Sequence, residues 1–262
     1  MKYLKLTMFS AASLASEDCA ETFYDLLARW EFPPTAFDAY EPIKRDWCNK
    51  EGFLEAWRSQ AKKGFGQVLM RRQGTLSYFA HSILQFGPKV GYHGISVYRI
   101  KESECSVARL RAIVTLADEI FACLNMDYGF ICLSDEYDKK NIIKNVKHAD
   151  GSIEPRKVVG MNWPKCLPGI YWTNYFGKAY LVKGFASHLS ETIHSRVARI
   201  GDGIRVQTSD EPRGFEAADA AQIEANVIRE LGQTWFFDKT TGRICDSIDA
   251  PLQELQQPSR TS

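Results

Sequence analysis

The chain of 262 residues carries almost no net charge, because 33 basic and 32 acidic side chains leave a formal charge of +1. Binding to nucleic acid or to an anionic membrane depends on a cationic surface, so we expect neither as a partner. No run of about 18 apolar residues exists either, which argues against a membrane-spanning helix. The 45% hydrophobic residues are ordinary for a globular protein that buries its own core, as one large domain or two small ones.

Short cysteine spacings are also missing. The seven cysteines are odd in number and widely separated, and no two of them form a CxxC pair. A disulfide framework or a zinc site normally shows an even count or closer spacing. Cys105, Cys123 and Cys132 fall on predicted apolar faces, where a free thiol behaves as a small hydrophobe. These observations favour a reducing compartment.

Catalytic and metal-binding motifs are absent as well. None of the five histidines has the spacing of a metal site, and no GxSxG elbow or phosphate-binding loop occurs. Ser96 lies inside a predicted strand, and Gly64-Phe65-Gly66 lacks the third glycine of a dinucleotide fingerprint. We therefore predict no catalytic residues, no metal, no cofactor and no enzymatic activity.

One acidic run keeps an enzyme hypothesis open. Asp135, Glu136 and Asp138 follow the predicted strand 128–133, and two lysines come directly after them. Acidic groups at a strand end can hold a divalent cation while a lysine assists the attacking water. The same run is also typical of a solvated loop. A metal-dependent hydrolase therefore remains a weaker alternative.

The N-terminus allows two interpretations. Lys2 and Lys5 precede a short apolar run, as in a signal peptide. The run is interrupted by Thr7 and Ser10, and the same residues fit a strand at 3–9 that leads to a helix capped at Ser16. We favour the strand, and with it a cytoplasmic location.

The order of predicted elements occurs twice along the chain. The first half has strands at 3–9, 75–86, 95–100 and 128–133, and helices at 17–31 and 105–125. The second half has strands at 169–174, 194–200, 204–208 and 234–237, and helices at 178–191 and 215–231. Each half has the order β-α-β-β-α-β, which is ferredoxin-like. An unrelated order that happens to alternate is the other possibility.

These elements predict an α+β fold in which two halves form one compact unit. The first half covers 1–134, with an insertion at 32–74 that contains a short helix near 51–63. A polar connector at 135–168 leads to the second half at 169–240, and the tail 251–262 is predicted to be disordered. Two open sheets of this kind could pair edge to edge or pack face to face.

An aromatic run lies at 167–177. It places four aromatic residues within six positions, and alternate residues of a strand point to opposite faces. Either both faces are covered by protein or some of these rings contact a partner. Trp163, in the connector, is a further candidate for a protein contact, since interfaces favour Trp, Tyr and Arg in their centres.

The run 167–177, together with 66–69, 127–129 and 231–237, resembles immunity proteins of bacterial polymorphic and type VI secretion toxin systems, of the two-repeat α+β type often found beside nuclease toxins. The resemblance covers most of residues 3–238. It implies a cytoplasmic protein that binds one cognate toxin, blocks its active site or its folding, and catalyses nothing. Inhibitors of basic nucleases are often strongly acidic, and this neutral chain departs from that pattern.

A long connector and a long insertion are the segments where we predict the toxin contacts, since such loops are usually functional or mobile. The predicted contacts are Asp135, Glu136, Tyr137, Asp138 and Trp163 in the connector, and Asp38, Tyr40 and Glu41 in the insertion. The main alternative is a small-ligand-binding or sensory protein that uses an open sheet face. The oligomeric state and the identity of the toxin stay open.

Overall fold

The protein is described by a computed structural model that covers residues 2–63, 66–85, 93–147, 151–158, 163, 166–182, 185, 196–212 and 219–237. Within these residues it has six α-helices, a ten-stranded antiparallel sheet and a separate two-stranded hairpin. The α+β class predicted from the sequence is confirmed. The predicted tail at 251–262 lies outside the described residues.

The strands of the large sheet are β1 (Tyr3–Ser10), β2 (Ala36–Asp38), β3 (Arg45–Asp46), β4 (Gly66–Arg72), β5 (Tyr78–Gln85), β6 (His93–Lys101), β7 (Tyr128–Leu133), β10 (Thr173–Phe176), β11 (Arg196–Ile200) and β12 (Gly203–Gln207). The hairpin consists of β8 (Ile142–Lys147) and β9 (Ile153–Val158). The helices are α1 (Glu17–Arg29), α2 (Lys50–Ala61), α3 (Val107–Cys123), α4 (Ser134–Asn141), α5 (Lys178–Val182) and α6 (Ala220–Leu231). Across the sheet the strand order is β11-β12-β10-β7-β1-β6-β5-β4-β2-β3.

The first half has the predicted ferredoxin-like arrangement. Strands β7, β1, β6 and β5 lie side by side, so that β6 pairs with both β1 and β5. This is the split β-α-β arrangement. Helix α1 begins where Ser16 accepts a hydrogen bond from the Cys19 amide at 3.2 Å, and it packs against α3.

The insertion extends this sheet. Its helix near 51–63 is α2, and its remaining residues supply β2, β3 and β4, which continue the sheet beyond β5. The sequence analysis did not predict these strands. Helix α2 packs against α1 and β4, so the insertion enlarges both the sheet and its helical cover.

The second half joins the first edge to edge, through pairing of β10 with β7. It follows the predicted order of elements as far as α6, although 186–195 and 213–218 lie outside the described residues. The predicted last strand at 234–237 is wrong. Gly232 turns the chain at a φ of +92°, and a 3₁₀ turn (Gln233–Trp235) and a single parallel bridge between Leu167 and Phe236 follow it. The strand position beside β10 is already occupied by β7.

The connector contains regular structure where we expected a polar loop. Helix α4 follows β7 directly, with Asp135 and Glu136 in its first turn and Lys139 and Lys140 in its last turn. Acidic residues near a helix N-terminus and basic residues near its C-terminus complement the helix dipole. The charge pattern that resembled a solvated loop therefore fits a short helix.

The large sheet carries a core on each face, because neighbouring residues of a strand point to opposite sides. Leu4, Leu6 and Met8 of β1 belong to the core beneath α1, α2 and α3; we call this side the first face. Phe9 belongs to a smaller core on the second face, which also contains Tyr128, Phe176 and Val227. Among the described strands, that smaller core covers β7, β10, β12 and the end of β1.

Candidate functional site

Over one half of the second face of the sheet, the described residues place no helix. One row of residues crosses it in register, as Leu69 of β4, His81 of β5, Ser96 of β6 and Thr7 of β1. Among the described helices, only α4 contacts the border of this region, at β1 and β7. Leu69 and His81 are half-buried, unlike the residues of the two cores.

Two adjoining cavities lie on this half, with volumes of about 310 Å³ and about 220 Å³. Both are lined by Lys5, His81 and Ser96; the larger one reaches Tyr98, and the smaller one reaches Tyr137 of α4. We call the depression formed by these five residues the sheet groove. Its walls are mostly apolar, so its few polar groups decide what it can bind.

Lys5 is the amine of the sheet groove. Its Nζ lies 3.5 Å from the centre of the Tyr137 ring, and burial lowers its pKa, an effect that Cys132 and Asp138 oppose. Lys5 forms neither an ion pair nor a hydrogen bond with the residues that the structure describes. The Lys5 ammonium is therefore partly desolvated, lies against a ring, and is influenced by Asp138 without an ion pair to it.

His81 is a neutral imidazole at physiological pH. Burial, and secondly the charge of Lys5, lower its pKa to about 4. Its ring lies 5.5 Å from that of Tyr98, whose own pKa is raised chiefly by burial. Ser96 donates a hydrogen bond to the Thr7 hydroxyl at 3.2 Å. The groove therefore offers the Lys5 amine beside neutral His81, Ser96 and Tyr98, and Arg99 also lines the larger cavity.

A buried ion cluster lies on the side of α4 opposite the sheet groove. The Lys140 ammonium is 3.0 Å from carboxylate oxygens of both Glu136 and Glu224, and it also contacts the Ile170 carbonyl. Burial raises the pKa of Glu136 to about 7, and Lys140 acts against that rise. The cluster ties α4 to α6 and to the segment before β10.

The structure divides the predicted contacts of the connector. Asp135 is exposed and pairs with Lys2 at 3.2 Å, Asp138 is exposed, and Tyr137 lines the sheet groove. Glu136 is only 6% exposed, so the prediction of a direct contact is wrong for this residue. Its position in α4 turns it toward Lys140 and away from solvent.

The predicted contact at Trp163 is also wrong, because this side chain is 0% exposed. Its ring stacks on Phe9 and Tyr128, with centroid distances of 6.1 and 6.0 Å. The aromatic run 167–177 is buried in the same way, with Tyr171 and Phe176 in the smaller core and Trp172 and Tyr175 in the larger one. Both of its faces are covered by protein.

The predicted contacts of the insertion lie at the far side of the groove. Asp38 ends β2, which is five strand spacings from β7, or about 24 Å across the sheet. Tyr40 is 58% exposed, and Glu41 lies near enough to Tyr98 to add to the rise of its pKa. The structure therefore separates the two predicted patches across the sheet, and Tyr40 contacts Gln60 and Lys63 at the end of α2.

The groove residues themselves were not predicted as a site. Lys5 appeared in the sequence only as a possible signal-peptide residue, and His81 and Ser96 appeared only as strand residues. A signal did exist, since Lys5 and Thr7, and likewise Ser96 and Tyr98, occupy alternate positions of their strands. Such alternation indicates that one face of the strands differs in polarity from the other. It does not indicate whether a helix covers that face.

The acidic run does not form a metal site. Glu136 points inward to Lys140, whereas Asp135 points outward to Lys2, so their carboxylates do not converge. Over the described part of the chain, no group of three or more His, Cys, Asp or Glu side chains could hold a metal ion. None of the described helices is long and apolar enough to cross a membrane.

Comparison with known proteins yields a likeness of fold. No family model and no curated protein sequence matches the chain. Among solved structures, the chain is similar to the T6SS protein PA0821 of Pseudomonas aeruginosa, with a TM-score of 0.57 and 10% sequence identity. The likeness covers 97% of this chain and 82% of that one. The two proteins therefore share a fold over nearly the whole length of this chain.

Proposed function

We propose that the chain is an immunity protein of a type VI secretion system, which binds a cognate toxin in the cytoplasm and neutralises it by stoichiometric binding without catalysis. The observation that carries this proposal is the fold shared over 97% of the chain with a T6SS protein. The sequence resemblance to immunity proteins points the same way. An inhibitor needs a surface with chemistry of its own, and the sheet groove with its two flanks supplies one.

The proposed contact surface is the sheet groove with the patches beside it. A standard interface covers about 800 Å² per partner, which is roughly 28 Å across. Strands β7 and β2 are about 24 Å apart across the sheet, so one interface can extend from α4 to the insertion. Asp135 and Asp138 of α4 and Glu41 of the insertion supply exposed carboxylates for the rim of this surface, and Lys2 pairs with Asp135. Such a rim would speed the association of a basic toxin.

Co-expression tests the proposal directly. The chain is co-expressed with the product of the neighbouring gene, and co-purification and bacterial growth are measured together. We expect a stable complex and restored growth, since toxin control calls for a Kd of about 1 nM or lower. A neighbouring product that neither binds nor harms the cell would remove the proposal.

A pair of substitutions locates the contact once a complex is in hand. Tyr40→Ser removes the exposed ring on the insertion side of the groove, and we expect at least about a tenfold loss of affinity. Val182→Ser is the matched control, because Val182 is 73% exposed in α5, outside the proposed surface. Equal effects of the two substitutions would place the contact elsewhere.

A second candidate function follows from the groove itself. Its larger cavity of about 310 Å³ reaches the lower end of the size range of small-molecule pockets. A ligand-binding or sensory protein would use this cavity without any toxin. A thermal-shift screen with a panel of metabolites separates the two functions, because only a ligand-binding protein would be stabilised by one of them.

A further inference from the structure

We infer that the sheet groove receives an acidic side chain of the partner protein, and that its carboxylate pairs with Lys5 and Arg99. The inference rests on the proposed function and names the chemistry that the partner must present. It concerns the interior of the groove, whereas the patches predicted from the sequence concern its rim.

Lys5 supplies the first step of the argument. Its ammonium lines both cavities and lies against the Tyr137 ring, and burial lowers its pKa although Cys132 and Asp138 oppose that shift. Removing a charge from water without an anion is unfavourable, and a protein normally pairs such a group. A carboxylate that enters the groove would supply the missing partner.

Arg99 supplies the second step. Strand β6 contains one extra residue opposite β1, because Leu4 faces Ile100 whereas Leu6 faces Val97. At this bulge Arg99 has a φ of +64°, an uncommon conformation for a residue with a side chain. Simple alternation from Val97 would place Arg99 on the first face.

The bulge instead places Arg99 on the second face. Its guanidinium lies 5.3 Å from the centre of the Phe79 ring, and it lines the larger cavity beside Lys5. Bulges often re-aim a side chain next to a functional site. Two cations from different strands therefore converge on one mostly apolar cavity, whose imidazole, His81, is neutral.

The distribution of charge selects the occupant. The rim carries the exposed carboxylates of Asp135, Asp138 and Glu41, whereas half-buried Lys5 and exposed Arg99 line the larger cavity. A basic surface that presents one acidic side chain matches both zones. A uniformly basic surface would match the rim and leave the interior cations unpaired, so the groove favours one toxin over others of similar overall charge.

The test measures the affinity of the complex with the neighbouring gene product by calorimetry. The variants are Lys5→Met, which keeps the apolar stem, and Arg99→Gln. Loss of one member of a buried charge pair should weaken binding by about 30-fold or more for Lys5→Met, with a smaller loss for Arg99→Gln. The controls, Lys178→Met and Arg199→Gln, change the same charges at exposed positions outside the groove and should leave affinity unchanged.

Folding is checked by circular dichroism and thermal unfolding. Lys5→Met should unfold at the same temperature as the parent or a higher one, since it removes a desolvated charge. A folded Lys5→Met variant that binds the toxin as tightly as the parent overturns the inference and leaves the immunity proposal intact.

If no complex forms, titration with a small carboxylate tests whether the groove binds a carboxylate at all. If the neighbouring product does not bind, the immunity proposal falls, and 3-phenylpropionate is titrated into the full chain and into Lys5→Met. Binding that is lost in Lys5→Met would assign the groove to a free carboxylate ligand and overturn the protein partner. Absence of binding to either protein would overturn the carboxylate site altogether.

Discussion

The second face of the sheet has two halves on neighbouring strands, one with the sheet groove and one beneath the smaller core. Thr7 pairs with Ser96 on one side and with Phe130 on the other, so a single row of residues runs from the sheet groove into the smaller core. In the groove that row contains His81 and Ser96. In the covered half it contains Phe130 and Asn174, beneath α4, α6 and the segment before β10. The difference between the halves lies in what covers the sheet, and α4 forms the border.

The charged groups of the two halves differ in the same way. Glu136 in the covered half has the Lys140 ammonium 3.0 Å away, so its burial is partly offset by an opposite charge. The Lys5 ammonium in the groove half lies against the Tyr137 ring, and Asp138 raises its pKa without an ion pair between the two side chains. A buried charge with its partner serves to join elements, whereas one without an anion is suited to bind a ligand. Substitutions in the two halves should therefore have different consequences.

The largest difference is expected from removing one phenylalanine in each half. Phe176 is fully buried, with its ring 4.6 Å from that of Phe185, whereas Phe79 is half-buried beside the groove. Phe176→Ala should lower the free energy of unfolding by about 3–5 kcal/mol. Phe79→Ala should lower it by about 1 kcal/mol, because less apolar surface returns to water. Denaturant unfolding measures both values, and equal losses would show that the groove half is as tightly packed as the covered half.

The pH dependence of stability provides the next comparison, starting with Glu136. Its pKa is raised from 4.5 to about 7 in the folded state. Between these pH values the folded protein holds a proton that the unfolded chain has lost, so stability falls as the pH rises, by roughly 3 kcal/mol. Glu136→Gln lacks this contribution, so its stability relative to the parent should rise with pH when the unfolding of both is measured from pH 4.5 to 8. The exposed neighbour provides the control, since Asp135→Asn should keep the parent slope.

His81 should act in the opposite direction over nearly the same range. Its pKa is lowered from 6.5 to about 4, so between these pH values the unfolded chain binds a proton that the folded protein does not bind. Stability is therefore lost as the pH falls through this window, by roughly 3 kcal/mol. Relative to the parent, His81→Gln should gain stability on acidification, whereas Glu136→Gln should lose it. A His81→Gln profile that coincides with the parent would mean that the imidazole is solvated and the groove is wet.

The sequence predicted the fold better than it predicted the groove. The apolar stripe at 105–125 corresponds to α3, and the predicted ferredoxin-like order describes β1, β5, β6 and β7. The strands of the insertion were missed because β2 has only three residues and because the pairing of β4 with β5 is a tertiary contact.

The groove depends on contacts that local patterns do not contain. Lys5 and Arg99 line one cavity because two distant strands pair around a bulge, and no spacing in the chain marks that bulge. Glu136 and Lys140 have the i,i+4 spacing of a helical ion pair, but their burial depends on Glu224 of α6. Whether a helix covers a strand face is decided by elements far away in the chain, which also explains why Trp163 was wrongly assigned to the surface.

The smallest effect on stability is expected from the rim of the groove. Asp135 and Asp138 are exposed, and an exposed ion pair such as that of Asp135 with Lys2 is worth less than about 1 kcal/mol. Asp135→Asn combined with Asp138→Asn should therefore leave the free energy of unfolding within about 0.5 kcal/mol of the parent. Glu136 is left intact, because substitution of its buried carboxylate could impair folding and so imitate a loss of binding.

If the rim steers a basic toxin, the double variant should associate more slowly at low salt, and the difference should vanish at high salt, where charges are screened. Stopped-flow association at two salt concentrations measures this, and equal rates at low salt would confine recognition to the interior of the groove.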